Sequence, residues 1–303
     1  MRHELDAREY KLLLNPERFS EATSEPIVAF WEKHMKPLID SQLGLRNDDE
    51  PRHEGQFNAP AERTVRFWDT ADCILTRADL ALRERLPVES EGSAAARPEI
   101  TLKLRMPDLF VVAAAELPGS RNDARTTFEE DIAPLEVDDP NPNKRSVVVS
   151  AKRSIRSRFS LSTSQTAEWS KARPTLDDLQ SLFPTLRELL GISGAQFDPG
   201  TALINGPNIR ELVFKGARVK LGANSIGKFA LTLWYLDKAG PAPRVAEVSF
   251  KCATLAGDMP GKAARRALTL FTCMQSQLSG WVTSEYSSKT ALALPRACGR
   301  PFE

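Results

Sequence analysis

Residues Glu99–Met106, EITLKLRM, alternate without a break: Glu99, Thr101, Lys103 and Arg105 fall on one side of an extended chain, and Ile100, Leu102, Leu104 and Met106 on the other. A strand repeats every two residues, so this octet has one charged face and one apolar face. A single such strand is a surface feature. Several of them must share an apolar layer, and that limits the fold. The same sorting recurs along the chain. The stretch Arg66–Leu86 reads as a hairpin whose connection carries Asp72 and Asp79; its second strand sets Ala81, Arg83 and Arg85 against Leu80, Leu82, Glu84 and Leu86. Val245–Cys252 sorts Val245, Glu247, Ser249 and Lys251 against Ala246, Val248, Phe250 and Cys252. Residues 5–14 put Ala7, Glu9 and Lys11 on one face, and Arg125–Ile132 puts Arg125, Thr127, Glu129 and Asp131 on one face, with Glu130 as the exception behind. In Val147–Leu161 the even positions include Lys152, Arg156 and Arg158; Arg153 breaks the rule, and a bulge would absorb it. Ile209–Leu221, which carries Arg218 and Lys220, and Phe229–Leu236 are further strand candidates.

Between the strands lie helical stripes. In residues 24–45, Ile27, Phe30, Trp31, Met35, Leu38 and Ile39 recur at steps near three and four, behind Ser24 and before Gly44. Pro26 suits a first turn, and Pro37 predicts a kink. In residues 174–190, Leu176, Leu179, Phe183, Leu186 and Leu190 form a second stripe, opened by a capping-box pair Thr175 and Asp178, stopped by Gly191 and split at Pro184. Ala264, Leu268, Phe271, Met274 and Leu278 mark a closing helix over residues 261–281.

Composition excludes some classes. The 41 basic residues are balanced by 40 acidic ones, and the basic residues alternate within strands instead of clustering with exposed aromatics, so nucleic acid is not an expected partner. Trp31, Trp68, Trp169, Trp234 and Trp281 read as packing residues. No apolar run reaches the roughly 18 residues of a membrane span, and MRHELDAREYK is charged where a signal peptide has its apolar core; a soluble, cytoplasmic protein is expected. Cys73, Cys252, Cys273 and Cys298 lie far apart without a CxxC pair, so neither a zinc site nor a disulfide framework is expected. His3, His34 and His53 show no metal-ligand spacing and read as surface residues.

Two architectures satisfy the strand pattern. One is an antiparallel sheet with helices on one side and its charged face in water. The other is a closed barrel with its apolar faces outside under helices and its charged faces lining a tunnel; about eight strands enclose room for one small ligand. The charges favour the barrel. Lys11, Arg83, Arg85, Lys103, Arg105, Lys152, Arg156 and Arg158 in one interior would repel one another when empty and would grip a compact polyanion, because guanidinium groups meet phosphate oxygens in pairs. Glu9, Glu129, Asp131 and Glu247 supply the oxygen donors that magnesium or manganese prefers.

These residues resemble the CYTH, or triphosphate tunnel metalloenzyme, family. A-R-E-Y-K is similar to its Glu-x-Glu-x-Lys opening through Glu9 and Lys11; WDTADCILTRADLALRER is similar to its F-D-T and L-R-x-R segment through Arg83 and Arg85; TLKLR resembles its T-L-K strand through Lys103. Glu129 and Asp131 match an acidic strand, EVSFK a late acidic strand through Glu247, and SKTALAL, more loosely, a segment around Lys289. The resemblance implies an α+β fold: an eight-stranded antiparallel β-barrel, a tunnel with a charged interior, surrounded by helices. It also implies one domain over residues 1–303, with helical insertions near 24–45 and 174–190. The implied activity is divalent-metal-dependent hydrolysis of a triphosphate (inorganic, nucleoside or thiamine triphosphate), with Mg²⁺ or Mn²⁺ as cofactor. Glu9, Lys11 and Glu129 would be catalytic; Glu9, Glu129, Asp131 and Glu247 would hold metal; and Lys11, Arg83, Arg85, Lys103, Arg105, Lys152, Arg156, Arg158, Arg218 and Lys220 would bind substrate. Ala7 stands in place of the first glutamate and Ser249 where a second late acid is often found. Fewer carboxylates hold a cation less tightly, which leaves two alternatives: a polyphosphate- or nucleotide-binding module without turnover, and a cyclase of the class IV adenylate cyclase kind. A homodimer is left open.

Overall fold

The computed structural model describes residues 2–19, 24–47, 49–88, 97–138, 147–149, 155–236, 242–278, 280–283, 289–295 and 298. Its strands are β1 (Ala7–Leu14), β2 (His53–Glu54), β3 (Ala61–Thr70), β4 (Leu80–Pro87), β5 (Glu99–Met106), β6 (Arg125–Pro134), β7 (Glu136–Asp138), β8 (Val147–Val149), β9 (Ile155–Thr166), β10 (Leu203–Asn205), β11 (Ile209–Lys220), β12 (Ile226–Leu236) and β13 (Val245–Ala253). Nine of them close a barrel in the order β3-β4-β5-β9-β6-β1-β13-β12-β11, with β11 pairing back to β3; β10 and β2 add to the outside, and β7 and β8 form a separate ribbon.

The barrel therefore differs from the eight antiparallel strands expected. It has nine, and β1 runs parallel to β6 while the other neighbours in the ring are antiparallel. The two differences are one. Directions cannot alternate all the way round a ring with an odd number of members, so a ninth strand requires a parallel pair.

Helices cover the outside: α1 (Glu25–Phe30), a π turn Trp31–Met35, α2 (Lys36–Leu43), α3 (Ile74–Arg77), α4 (Leu109–Ala114), α5 (Leu176–Leu182), α6 (Leu186–Ile192), α7 (Gly261–Gln277) and α8 (Thr290–Ala293). Pro37 cannot donate an amide, and its ring crowds the carbonyl four residues back. The π turn just ahead of it widens the ladder and carries the helix through instead of ending it. Pro184 does separate α5 from α6, and Thr175 and Asp178 form the reciprocal capping box. On one flank the outward face of β1 packs under α7: Tyr10 stacks on Phe250 at 4.7 Å and meets Phe271 at 5.3 Å. On the other, Leu82, Leu102 and Leu161 are buried with Leu179, Phe183 and Leu186 of α5 and its continuation. The apolar sides of the alternating strands face this helical coat, which leaves their charged sides to the interior.

One end of that interior is apolar. Leu13, Val65, Phe67, Ile209, Trp234 and Val245 meet Leu292, Ala293 and Leu294 of the C-terminal segment, which stops the barrel there. A disulfide between Cys73, in the β3–β4 connection, and Cys298 fastens the same segment. This corrects the expectation of no disulfide: the two cysteines are 225 residues apart in sequence, and only the closed barrel brings their Cα atoms to 5.2 Å. The connection itself is organised by buried Asp69, whose carboxylate accepts the amides of Leu75 and Thr76 and the Thr76 hydroxyl. Among the described residues no helix is long and apolar enough to cross a membrane.

Candidate functional site

The barrel encloses a cavity of about 930 Å³. Among the described residues twelve Lys or Arg but only six Asp or Glu line it, so the interior is strongly cationic in a chain that is nearly neutral overall.

Three carboxylates gather on adjoining strands. β1 and β6 pair so that Glu9 lies opposite Asp131 and Ala7 opposite Glu129. Carboxylate oxygens of Glu9, Glu129 and Asp131 come within 4.8 Å of one another. Each is already met by cations. Asp131 accepts from Lys11 Nζ at 2.6 Å, Lys103 Nζ at 3.1 Å and Ser160 Oγ at 2.9 Å, and faces Arg105 at 2.9 Å. Glu9 accepts from Ser249 Oγ at 3.0 Å and lies 3.2 Å from Lys11 Nζ, and Glu129 accepts from Lys251 Nζ at 2.8 Å. Burial alone would raise the Glu9 pKa, but Lys11 and Lys251 outweigh it and hold the carboxyl at about 2. Burial likewise opposes ionisation of Asp131, yet Lys103, Lys11 and Arg105 keep it well below the usual carboxylate range. The donor set is all hard oxygen, with Glu9 and Asp131 held ionised, which suits Mg²⁺ or Mn²⁺. Such an ion draws its ligand oxygens to about 2.1 Å, and carboxylates already within 4.8 Å of one another need only small side-chain rotations to share it. The residues fit a divalent ion.

Several arginine donors in the same cavity are unused. The Nε groups of Arg83, Arg85 and Arg105 are buried and have no hydrogen-bond partner. Arg85 has only distant carboxylates, Glu99 at 3.8 Å and Glu211 at 3.9 Å, and Arg83 forms no ion pair among the described residues. Burial, reinforced by Arg85, pushes the Arg83 guanidinium down to about 9. Buried donors without acceptors are rare in folded proteins and call for an external partner.

The expected site residues are placed as follows. Glu9, Lys11, Glu129 and Asp131 meet at one point, and Arg83, Arg85, Lys103, Arg105, Arg156 and Arg158 line the same cavity. Glu247 stands apart from the acidic trio, its carboxylate 2.7 Å from Lys289 Nζ. Lys152 and Arg153 lie outside the described residues. Arg218 and Lys220 are outside the cavity lining. A register shift between Lys215 and Arg218, at Gly216 with φ +120°, carries them past the wall to pair with β2, where Lys220 meets Glu54. Sequence reading missed Arg63, Glu211, Lys251 and the full part of Lys289. Lys251 was legible, since it alternates with Glu247. Glu211 was not: β11 turns Ile209 and Val213 inward with it and Arg210 outward, so its two faces are not separated by polarity.

Lys103 gives the site a pH dependence. Burial pushes its ammonium down to about 7, with Asp131 only partly compensating. Between about pH 7 and the ordinary lysine value of about 10.4, the unfolded chain holds a proton that the folded one lacks, so this residue makes stability rise with pH across that window. A bound polyanion would restore the proton. Calorimetry of tripolyphosphate binding at about pH 8 in two buffers of different ionisation enthalpy is expected to show proton uptake, absent in Lys103→Met; equal heats in both buffers for the unaltered protein would contradict this.

The fold and site define a class: a closed β-barrel enclosing a cationic cavity with a carboxylate cluster on one wall. No protein-family model and no curated protein matches the chain. Solved structures similar to it include HpAC1 of Hippeastrum, described as an adenylyl cyclase candidate with a dominant triphosphatase activity. It shares 12% identity over 95% of this chain and 94% of that one, at a TM-score of 0.42. A candidate adenylate cyclase of Bacillus halodurans shares 14% over 94% and 96%, at a TM-score of 0.35.

Proposed function

We propose that this chain is a divalent-metal-dependent triphosphate hydrolase acting inside its barrel on a small polyanionic substrate. The observation that carries the reading is the presence, in one cavity, of buried guanidinium Nε donors without partners and a cluster of three carboxylates. Arg83, Arg85 and Arg105 would donate to the non-bridging oxygens of the triphosphate, which neutralise the repulsion of the empty cavity. Glu9, Glu129 and Asp131 would hold Mg²⁺ or Mn²⁺. When bound, the ion supplies Lewis-acid polarisation of phosphate oxygens and a place for the attacking water. Lys11, set between Glu9 and Asp131, brings a positive charge to the carboxylate cluster. The blind, apolar end of the barrel limits how deep a substrate can sit.

The second reading, a binding module without turnover, is favoured by one observation: Asp131 is already neutralised by Lys11, Lys103 and Arg105, and Ala7 and Ser249 contribute no carboxylate. Incubation with tripolyphosphate, ATP and thiamine triphosphate, each with Mg²⁺ or Mn²⁺, separates the readings. Metal-dependent phosphate release from at least one of them is expected. Binding without release selects the second reading, cyclic AMP from ATP selects the cyclase, and no binding at all rejects all three.

A further inference from the structure

Lys251 has no part in the chemistry above, yet it touches the acidic cluster. Register across β1 and β13 sets it directly opposite Glu9. Its Nζ donates to Glu129 Oε1 at 2.8 Å and lies 3.6 Å from Glu9 Oε2. One ammonium thus bridges two of the three carboxylates, and it approaches the same Glu9 oxygen as Lys11 does. It differs from the other cations there. Lys11 and Lys103 are both tied to Asp131, whereas the Lys251 side chain is 42% exposed and has water to move into.

We propose that Lys251 is a resident cation of the carboxylate site: it holds Glu9 and Glu129 in the metal-free protein, and a divalent ion binds there only by displacing it. This rests on the reading that Glu9, Glu129 and Asp131 bind metal. The physical reasons are two. The ammonium sits on Glu129 and beside Glu9, two of the three carboxylates that a metal would have to share. A divalent ion seated between Glu9 and Glu129 would also face a positive charge within a few ångströms, in an interior that screens it poorly. A flexible stem and a half-exposed side chain let the ammonium leave. A chain with Ala7 and Ser249 in place of carboxylates thereby keeps its remaining acids satisfied without metal and trades metal affinity for that order.

The test is a Mn²⁺ titration of the metal-free protein, reading free aquo-Mn²⁺ by electron paramagnetic resonance, with thermal melting as a folding control. Lys251→Met is expected to bind Mn²⁺ at least about tenfold more tightly than the unaltered protein, and Lys251→Arg, which keeps the charge, no more tightly. Should Lys251→Met fail to fold, Lys251→Gln makes the same comparison. Equal Mn²⁺ affinity with and without Lys251 overturns the proposal and leaves the metal reading intact. If neither protein takes up Mn²⁺, the proposal and the metal reading fall together.

Discussion

Replacing Arg83 by methionine is expected to weaken tripolyphosphate binding by about 10–100-fold while raising the melting temperature of the empty protein. Both effects have one cause. Arg83 is half-buried, makes no ion pair among the described residues, leaves its buried Nε without a partner and has its guanidinium held down to about 9. A charge kept in that state destabilises the fold, so removing it is expected to add about 1–2 kcal/mol. The same donors stabilise a bound phosphate by about 1.5–3 kcal/mol per charge-assisted hydrogen bond, which sets the loss of affinity. Replacing Arg85 as well deepens that loss to about 10²–10³-fold. Calorimetry and thermal melting check the pair of outcomes. A variant that binds as before, or that melts lower than the unaltered protein, would show that Arg83 is a structural residue.

Asp131→Asn works in the opposite sense. The carboxylate is the common counter-ion of Lys11, Lys103 and Arg105. Asparagine preserves shape and can still accept from Ser160, but it leaves Lys11 and Arg105, and Lys103 wherever it is protonated, facing one another without their counter-ion. A loss of about 3–5 kcal/mol is expected without ligand. Tripolyphosphate would return the missing negative charge, so the rise in melting temperature on adding it is expected to be larger for this variant than for the unaltered protein. Metal-dependent turnover is expected to disappear. The pH dependence follows from the depressed pKa: the contribution of Asp131 is present above the ordinary aspartate value of about 3.9 and is lost only as pH falls through the lower folded value. A melting temperature unchanged by the substitution would contradict this account of the interior.

Much of the barrel was legible because its two faces differ in polarity. Glu99–Met106 and Val245–Cys252 needed only their alternation to reveal which side faces inward, and Glu9, Lys11, Arg83, Arg85, Lys103 and Arg105 followed. The alternating and apolar segments also number nine, a count hidden by the eight strands the family resemblance implies. Three things could not be read. The parallel pair β1 and β6 depends on ring closure, which no local pattern records. The apolar end of the cavity mixes Ile209, Val213 and Trp234 with Glu211, so the polarity of inward positions changes along a strand and the two-residue code fails there. The contact between Cys73 and Cys298 joins residues whose proximity is set only by the C-terminal segment folding over the barrel. Charge type was readable in the same way, but charge pairing was not: nothing in the spacing of Glu247 announces that Lys289 neutralises it, or that Lys251 sits on Glu129.

The central claim is that the interior is shaped and charged for a triphosphate. Its most direct test is calorimetric titration of the metal-free protein with tripolyphosphate and, separately, with orthophosphate. The arrangement of Arg83, Arg85 and Arg105 around one cavity predicts one tripolyphosphate per chain, bound about 100-fold or more tightly than orthophosphate, because only the longer anion engages several buried guanidinium groups at once. Equal, weak affinity for the two anions, or no heat with either, would contradict it.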